Sequence, residues 1–284
     1  MAVAAPAVGY RAWWDDAHVG AAVRTALRAH GFAIAPEELE RCVEGRRAIG
    51  RRLRDRALPE RLPPFLPAAE YRSLAATDAF LWDRLPDMAG LGHQQAVALG
   101  AGADTEQAML CGAFSAGVSL MDYLVDEHDM PVFDVVTADV VSGMFAWGGA
   151  AEAAAMQAAE RVTDVRLRVL LALVAVCAAG FDELIRARDL AARERLAEAV
   201  SALYFAERDV TDGEATPAPE AVVAKAVLPF VVVDRIVTLA NGRRQGRDDG
   251  ASLALGRAVA LIDDLVRSGE GPPPGRRELA AARA

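Results

Sequence analysis

Aromatic side chains are scarce in this chain of 284 residues, 6% against 53% hydrophobic residues overall. The apolar volume therefore comes from Ala, Val and Leu, a balance that favours packed helices over aromatic-rich β structure. Sustained alternation of apolar and polar residues is missing as well, so strands are not expected. Cysteine is scarcer still: Cys42, Cys111 and Cys177 fit no disulfide framework and no zinc-ligand spacing, which suits a reducing, cytoplasmic setting. The first residues, MAVAAPAVGY, lack the basic start of a secretory signal. The longest apolar run, Val169 to Phe181, falls short of the roughly 20 residues of a membrane span and reads as a core helix, so an integral membrane protein is not expected. Positive charge is in deficit: 31 basic against 40 acidic side chains leave a net charge of -9, which repels a nucleic-acid backbone. An anionic small molecule fits only where local cations reverse the field.

The residues present follow a helical period from end to end, and an all-α fold is the expectation. Amphipathic helices are predicted over Val19 to His30, Pro36 to Leu58 and Leu66 to Leu85, with Pro63 and Pro64 forbidding helix between the last two. Asp104 reads as the N-cap of a long helix ending near Asp129, before Pro131. Helices are also predicted over Asp134 to Glu160 with a break at Gly148-Gly149, Thr163 to Arg188, Leu190 to Arg208, Pro219 to Leu239 and Ser252 to Arg267. No repeat and no linker divides the chain, so residues 1 to 284 read as one large helical bundle, roughly 15 residues at each end being loose. Its centre is a natural place for an apolar cavity.

Two acidic pairs carry the chemistry. In SLMDYLVDEHDMP, Asp122 and Asp126 are four apart near the end of an apolar helix, so both carboxylates leave one face. Oxygen ligands so placed suit Mg²⁺, which binds through one or two carboxylates plus waters and substrate phosphates; a solvated acidic helix end is the alternative. In LGRAVALIDDLVRSG, Asp263 and Asp264 again follow an apolar run at the C-terminal, unfavourable end of a helix macrodipole. Between the pairs stands Lys225, the sole lysine of the chain and the only charge in AVVAKAVLPFVVV. It either snorkels from a buried face or points into a polar cavity, and its singularity suggests that a compact point charge is wanted there.

In this order the three segments LMDYLVDEHD, AKAVLPF and LGRAVALIDDLVR resemble the trans-polyprenyl diphosphate synthase family and its terpene-cyclising relatives, the class I isoprenoid synthase superfamily, over residues 104 to 268. The resemblance implies an all-α bundle, commonly a homodimer, in which two Asp-rich helix ends face each other and hold Mg²⁺ against an allylic prenyl diphosphate. By position Asp122, Asp126, Asp263 and Asp264 would ligate metal, Lys225 would contact the diphosphate, and Phe114, Gly117, Val118 and Met121 would line the pocket. Close helix packing explains Gly112 and Gly117 equally well.

This chain departs from the family pattern at Tyr123, where the first motif has its second aspartate, and at Arg267, where the second motif ends in aspartate; Arg267 is placed to contact diphosphate or solvent. No Gly-Lys-x-x-Arg segment or Arg pair for isopentenyl diphosphate is visible, and His93 in DMAGLGHQQ reads as structural before it reads as a second anion site. A terpene synthase that cyclises farnesyl or geranylgeranyl diphosphate is thus expected ahead of a prenyltransferase performing elongation or head-to-head coupling, or a non-catalytic partner subunit. Asp182-Glu183 and Glu207-Arg208-Asp209 are expected on solvated helix faces, although the latter precedes the Lys225 helix as polar pocket residues do in the family it resembles; the N-terminal Trp13, Trp14, Asp15 and Asp16 are expected in loose packing, and the arginine run from Arg46 to Arg56 on a solvated surface.

Overall fold

The computed structural model describes residues 36–145, 149–186, 190–211, 219–241, 250, 252–254 and 256–257, and every regular element among them is helical. In chain order these are α1 (Pro36–Arg52), a five-residue π-helical stretch (Leu53–Ala57), α2 (Leu58–Arg61), α3 (Ala68–Thr77), α4 (Ala79–Ala98) and α5 (Glu106–Asp126). There follow α6 (Val132–Val135), α7 (Ala138–Gly143), α8 (Ala150–Arg161), α9 (Val165–Arg186), α10 (Leu190–Thr211) and α11 (Pro219–Ala240). The predicted helix over Val19 to His30, Gly148, Arg188 and nearly all of the loop from Thr211 to Glu220 lie outside the described residues. So do the N-terminal tryptophans and most of the Ser252 to Arg267 helix.

Three expectations change. The segment from Leu66 to Leu85 is two helices, because Asp78 adopts a non-helical conformation (φ -151°, ψ 76°) and accepts the Leu81 N–H at 2.9 Å, starting a new helix. The long helix α5 is capped by Thr105, whose Oγ1 accepts from the Ala108 N–H, while Asp104 instead pairs with Arg52. Asp134 to Glu160 breaks twice, since Thr137 caps α7 and Gly149, at φ 75°, opens α8 from the left-handed region that glycine favours.

Helix α4 runs through Pro86, which cannot donate to the Trp82 carbonyl one turn back. Arg54 Nη1 supplies that missing donor at 3.0 Å, and its guanidinium lies 4.6 Å above the Trp82 ring. Glycines let this helix approach its neighbours closely. A Cβ at Gly50 would lie 1.7 Å from the Pro86 carbonyl oxygen and one at Gly90 2.7 Å from that of Arg46, an antiparallel crossing of α1 and α4. On the other side Gly92 meets the Cys111 carbonyl and Gly112 meets Leu53, Ala89 and His93, so Gly112 serves packing. Helix α5 in turn packs on α4, α9 and α11, and α10 packs along α11.

The Val169 to Phe181 run is the buried body of α9, with Val169, Leu170, Leu171, Leu173, Cys177 and Phe181 almost fully enclosed. Helix α5 is, among the described residues, the one helix long and apolar enough to cross a membrane, and 61% of that window is buried inside this fold, as in a core helix. Five arginines of the run form ion pairs: Arg46 and Arg47 with Asp87, Arg52 with Asp104, Arg54 with Asp55 and Arg56 with Glu60.

Candidate functional site

The apolar stripe of α5 buries Phe114, Leu120, Met121 and Leu124, which leaves Asp122 and Asp126 on the flank that faces α11. Phe114 packs against Phe181 with centroids 6.4 Å apart, Met121 is buried in the core, and Gly117 and Val118 are half-buried. A Cβ at Gly117 would meet only the Leu173 Cβ, at 3.8 Å, so unlike Gly112 this glycine is not required by packing. Gly117→Ala is therefore expected to raise stability by about 0.5–1 kcal/mol, through the helix propensity of alanine alone, read from denaturant unfolding.

Lys225 comes from α11 and brings the distant segments together. Its Nζ lies 2.5 Å from Asp122 Oδ1, 3.8 Å from Asp126 Oδ2 and 3.1 Å from Glu207 Oε2. Asp122 Oδ1 is buried without a well-aligned hydrogen bond, and its compensation is the charge of Lys225. Pro229, one turn beyond Lys225 within α11, has no N–H to give the Lys225 carbonyl, so the backbone of the helix is weakened where the lysine leaves it.

Glu207 corrects the sequence reading. It is 3% exposed and sits on the apolar face of α10, in register with Leu196, Val200 and Leu203, whereas Arg208 and Asp209 are the solvated members of the triplet and pair with each other at 3.6 Å. That register was visible in the sequence: an ionisable residue on an apolar helical face demands a partner. Burial pushes the Glu207 carboxyl up to about 7; Lys225 opposes the rise, and Asp122 and Asp126 add to it. The folded chain then holds the Glu207 proton more tightly than the unfolded chain does, so this group withdraws stability as pH rises from about 4.5 to about 7. Thermal melting between pH 5 and pH 8 tests this: Glu207→Gln is expected to gain several degrees on the wild type across that window.

Burial alone would lower the Lys225 ammonium, yet Asp122, Glu207 and Asp126 together raise it above the ordinary lysine value. These three carboxylates thus favour the charged form of Lys225. With all four groups ionised the cluster carries two net negative charges, the deficit that one divalent cation would neutralise. Among the described residues no group of three His, Cys, Asp or Glu side chains stands ready by itself to hold a metal ion; the ammonium occupies the middle of the carboxylates.

Tyr123 points into a different polar cluster. Its ring stacks on Phe80 at 5.7 Å and meets His128 edge-on at 4.7 Å; burial and then the Asp78 carboxylate push its hydroxyl up to about 12. Arg166 joins this group, 3.6 Å from Asp78 and 2.8 Å from Asp164. His93 is structural: its Nε2 lies 2.8 Å from the Ala103 carbonyl, which places the proton on that nitrogen, and burial lowers its pKa. Asp263, Asp264 and Arg267 lie outside the described residues. No known protein family, no curated protein and no solved structure matches this chain, and the convergence of Asp122, Asp126, Glu207 and Lys225 is what its function must be read from.

Proposed function

We propose that this protein is a magnesium-dependent terpene synthase that ionises an allylic prenyl diphosphate, farnesyl or geranylgeranyl diphosphate, and cyclises the resulting cation. The observation that carries the reading is the meeting of Lys225 with Asp122 and Asp126 across a separation of about a hundred residues. Two partly open carboxylates, one with a buried oxygen lacking a well-aligned hydrogen bond, form a hard-oxygen donor set that fits Mg²⁺. Asp122 and Asp126 would hold the ion from this side, and Asp263 with Asp264 is the resemblance's candidate for the other. Bound there, Mg²⁺ would supply Lewis-acid stabilisation of the departing diphosphate.

The chain's own side chains account for the rest. Lys225 stays protonated and offers three donors, so it can bind phosphate oxygens while keeping a carboxylate partner. Arg267 is a second candidate for the diphosphate. Apolar residues of α5, among them Val118 beside Gly117, would keep water from the allylic cation. Tyr123 and Arg267 are departures of the kind a partner subunit would carry; the retention of Asp122, Asp126 and Lys225 favours an active enzyme.

Purified protein incubated with Mg²⁺ and geranyl, farnesyl or geranylgeranyl diphosphate, with and without isopentenyl diphosphate, tests the reading by mass spectrometry of products. Hydrocarbon or alcohol formed without isopentenyl diphosphate is expected. Longer diphosphates appearing only with it would mark a prenyltransferase. An inert chain that supports a co-purifying synthase, unaffected by Asp122→Ala, would mark a subunit.

A further inference from the structure

We propose that Glu207 is a positioning residue that anchors the Lys225 ammonium from the buried side, so that Lys225 remains at the site when Asp122 and Asp126 turn to an incoming cation. The part played by the cation rests on the function proposed above; the anchoring itself does not. The three carboxylates around Lys225 differ in access. The side chains of Asp122 and Asp126 are 35% and 45% exposed, whereas that of Glu207 is 4% exposed. Asp122 is the nearer partner at 2.5 Å through its buried Oδ1, but the side chain as a whole is 35% exposed, and a carboxylate that solvent reaches can exchange an ammonium for a hydrated ion. Glu207, 3.1 Å away and enclosed by the packing of α10 on α11, has Lys225 as its ion-pair partner among the described residues, and its burial keeps solvent from competing for that contact.

Geometry elsewhere points the same way. Glu207 and Lys225 stand on helices packed along each other, so the distance between their backbones is set by the core and not by the occupant of the site. Pro229 removes the donor that would pin the Lys225 carbonyl within α11, which leaves the side-chain tether to fix where the ammonium sits. Arg208, the neighbouring cation on α10, turns outward to Asp209 and the ring of Phe205 and does not compete.

Because Lys225 is the sole lysine, the full chain grown with ¹⁵N-lysine carries a single side-chain ammonium resonance. Hydrogen exchange at that ammonium is to be followed in the wild type, Glu207→Gln, Glu207→Asp and Asp122→Asn, first without metal and then with magnesium chloride alone. Exchange at least about tenfold faster in Glu207→Gln, largely restored in Glu207→Asp and little changed in Asp122→Asn, is the expected result, the size corresponding to loss of a charged hydrogen bond. Loss of protection in Asp122→Asn with retention in Glu207→Gln would overturn the proposal, as would equal protection in all variants. Should Glu207→Gln fail to fold, the Asp122→Asn spectrum decides: retained protection supports Glu207 as anchor, lost protection refutes it. A resonance indifferent to magnesium in every variant would count against the proposed metal-dependent function, while the metal-free comparison still decides the role of Glu207.

Discussion

Asp122→Ala is expected to cut magnesium-dependent turnover of the allylic diphosphate by about 10²–10³-fold, the usual loss when one preorganised charge-stabilising group is removed. Asp122 is the carboxylate closest to Lys225, and its Oδ1 is buried without a well-aligned hydrogen bond. Its loss deprives a cation of a ligand and Lys225 of its nearest partner at once. Collapse of the fold is not expected to be the cause, because the cluster has more negative than positive charge and removal of one carboxylate relieves repulsion between those that remain. Initial rates with and without Mg²⁺, together with melting temperatures, separate the two effects. Turnover within about threefold of the wild type, well below the effect of losing such a group, would sink the assignment of Asp122.

The largest effect on stability is expected at Gly50. An added methyl group would be placed 1.7 Å from the Pro86 carbonyl oxygen, 2.4 Å from its carbon and 2.6 Å from its Cα, all of them backbone atoms that no rotamer change can move. Helix α4 cannot easily retreat, since Arg54 holds the Trp82 carbonyl beneath Pro86 and Gly92 seats the opposite face of the helix against α5. Gly50→Ala should therefore cost at least about 3 kcal/mol, at the upper end of overpacking. Gly45, five residues earlier on α1, is the control: a Cβ there meets nothing within 4 Å, so Gly45→Ala should stabilise by about 0.5–1 kcal/mol. Equal unfolding midpoints for the two variants would contradict the close crossing of α1 and α4.

The site depends on this crossing. Glycines bring α1, α4 and α5 together, and α5 then presents Asp122 and Asp126 to α11. A substitution at Gly50 that is tolerated structurally but displaces α4 would reach Lys225 through α5, far from any polar contact.

The sequence by itself determined the helices and the local geometry of the carboxylates. Periodicity is a short-range property, and the i, i+4 spacing of Asp122 and Asp126 places them on one face whatever α5 packs against. It likewise marked Lys225, because a single charge in a long apolar stretch must find compensation. Breaks and caps were less legible: Asp78 and Thr137 resemble ordinary polar helix residues until their side chains are seen to accept backbone N–H groups. Glu207 adjoins Arg208 and Asp209, which are solvated, and this masks in the sequence a register with Leu203 that places it on the buried face.

Only the tertiary structure decided which carboxylates share Lys225. Residues 122, 207 and 225 lie on three helices, and their meeting follows from helix packing, whose crossings are fixed by close backbone contacts that no local pattern encodes. The same packing separates a buried Glu207 from two solvent-accessible aspartates. Identical carboxyl chemistry thereby acquires different roles, since the energy of a charge depends on the medium around it and on the partner it is given.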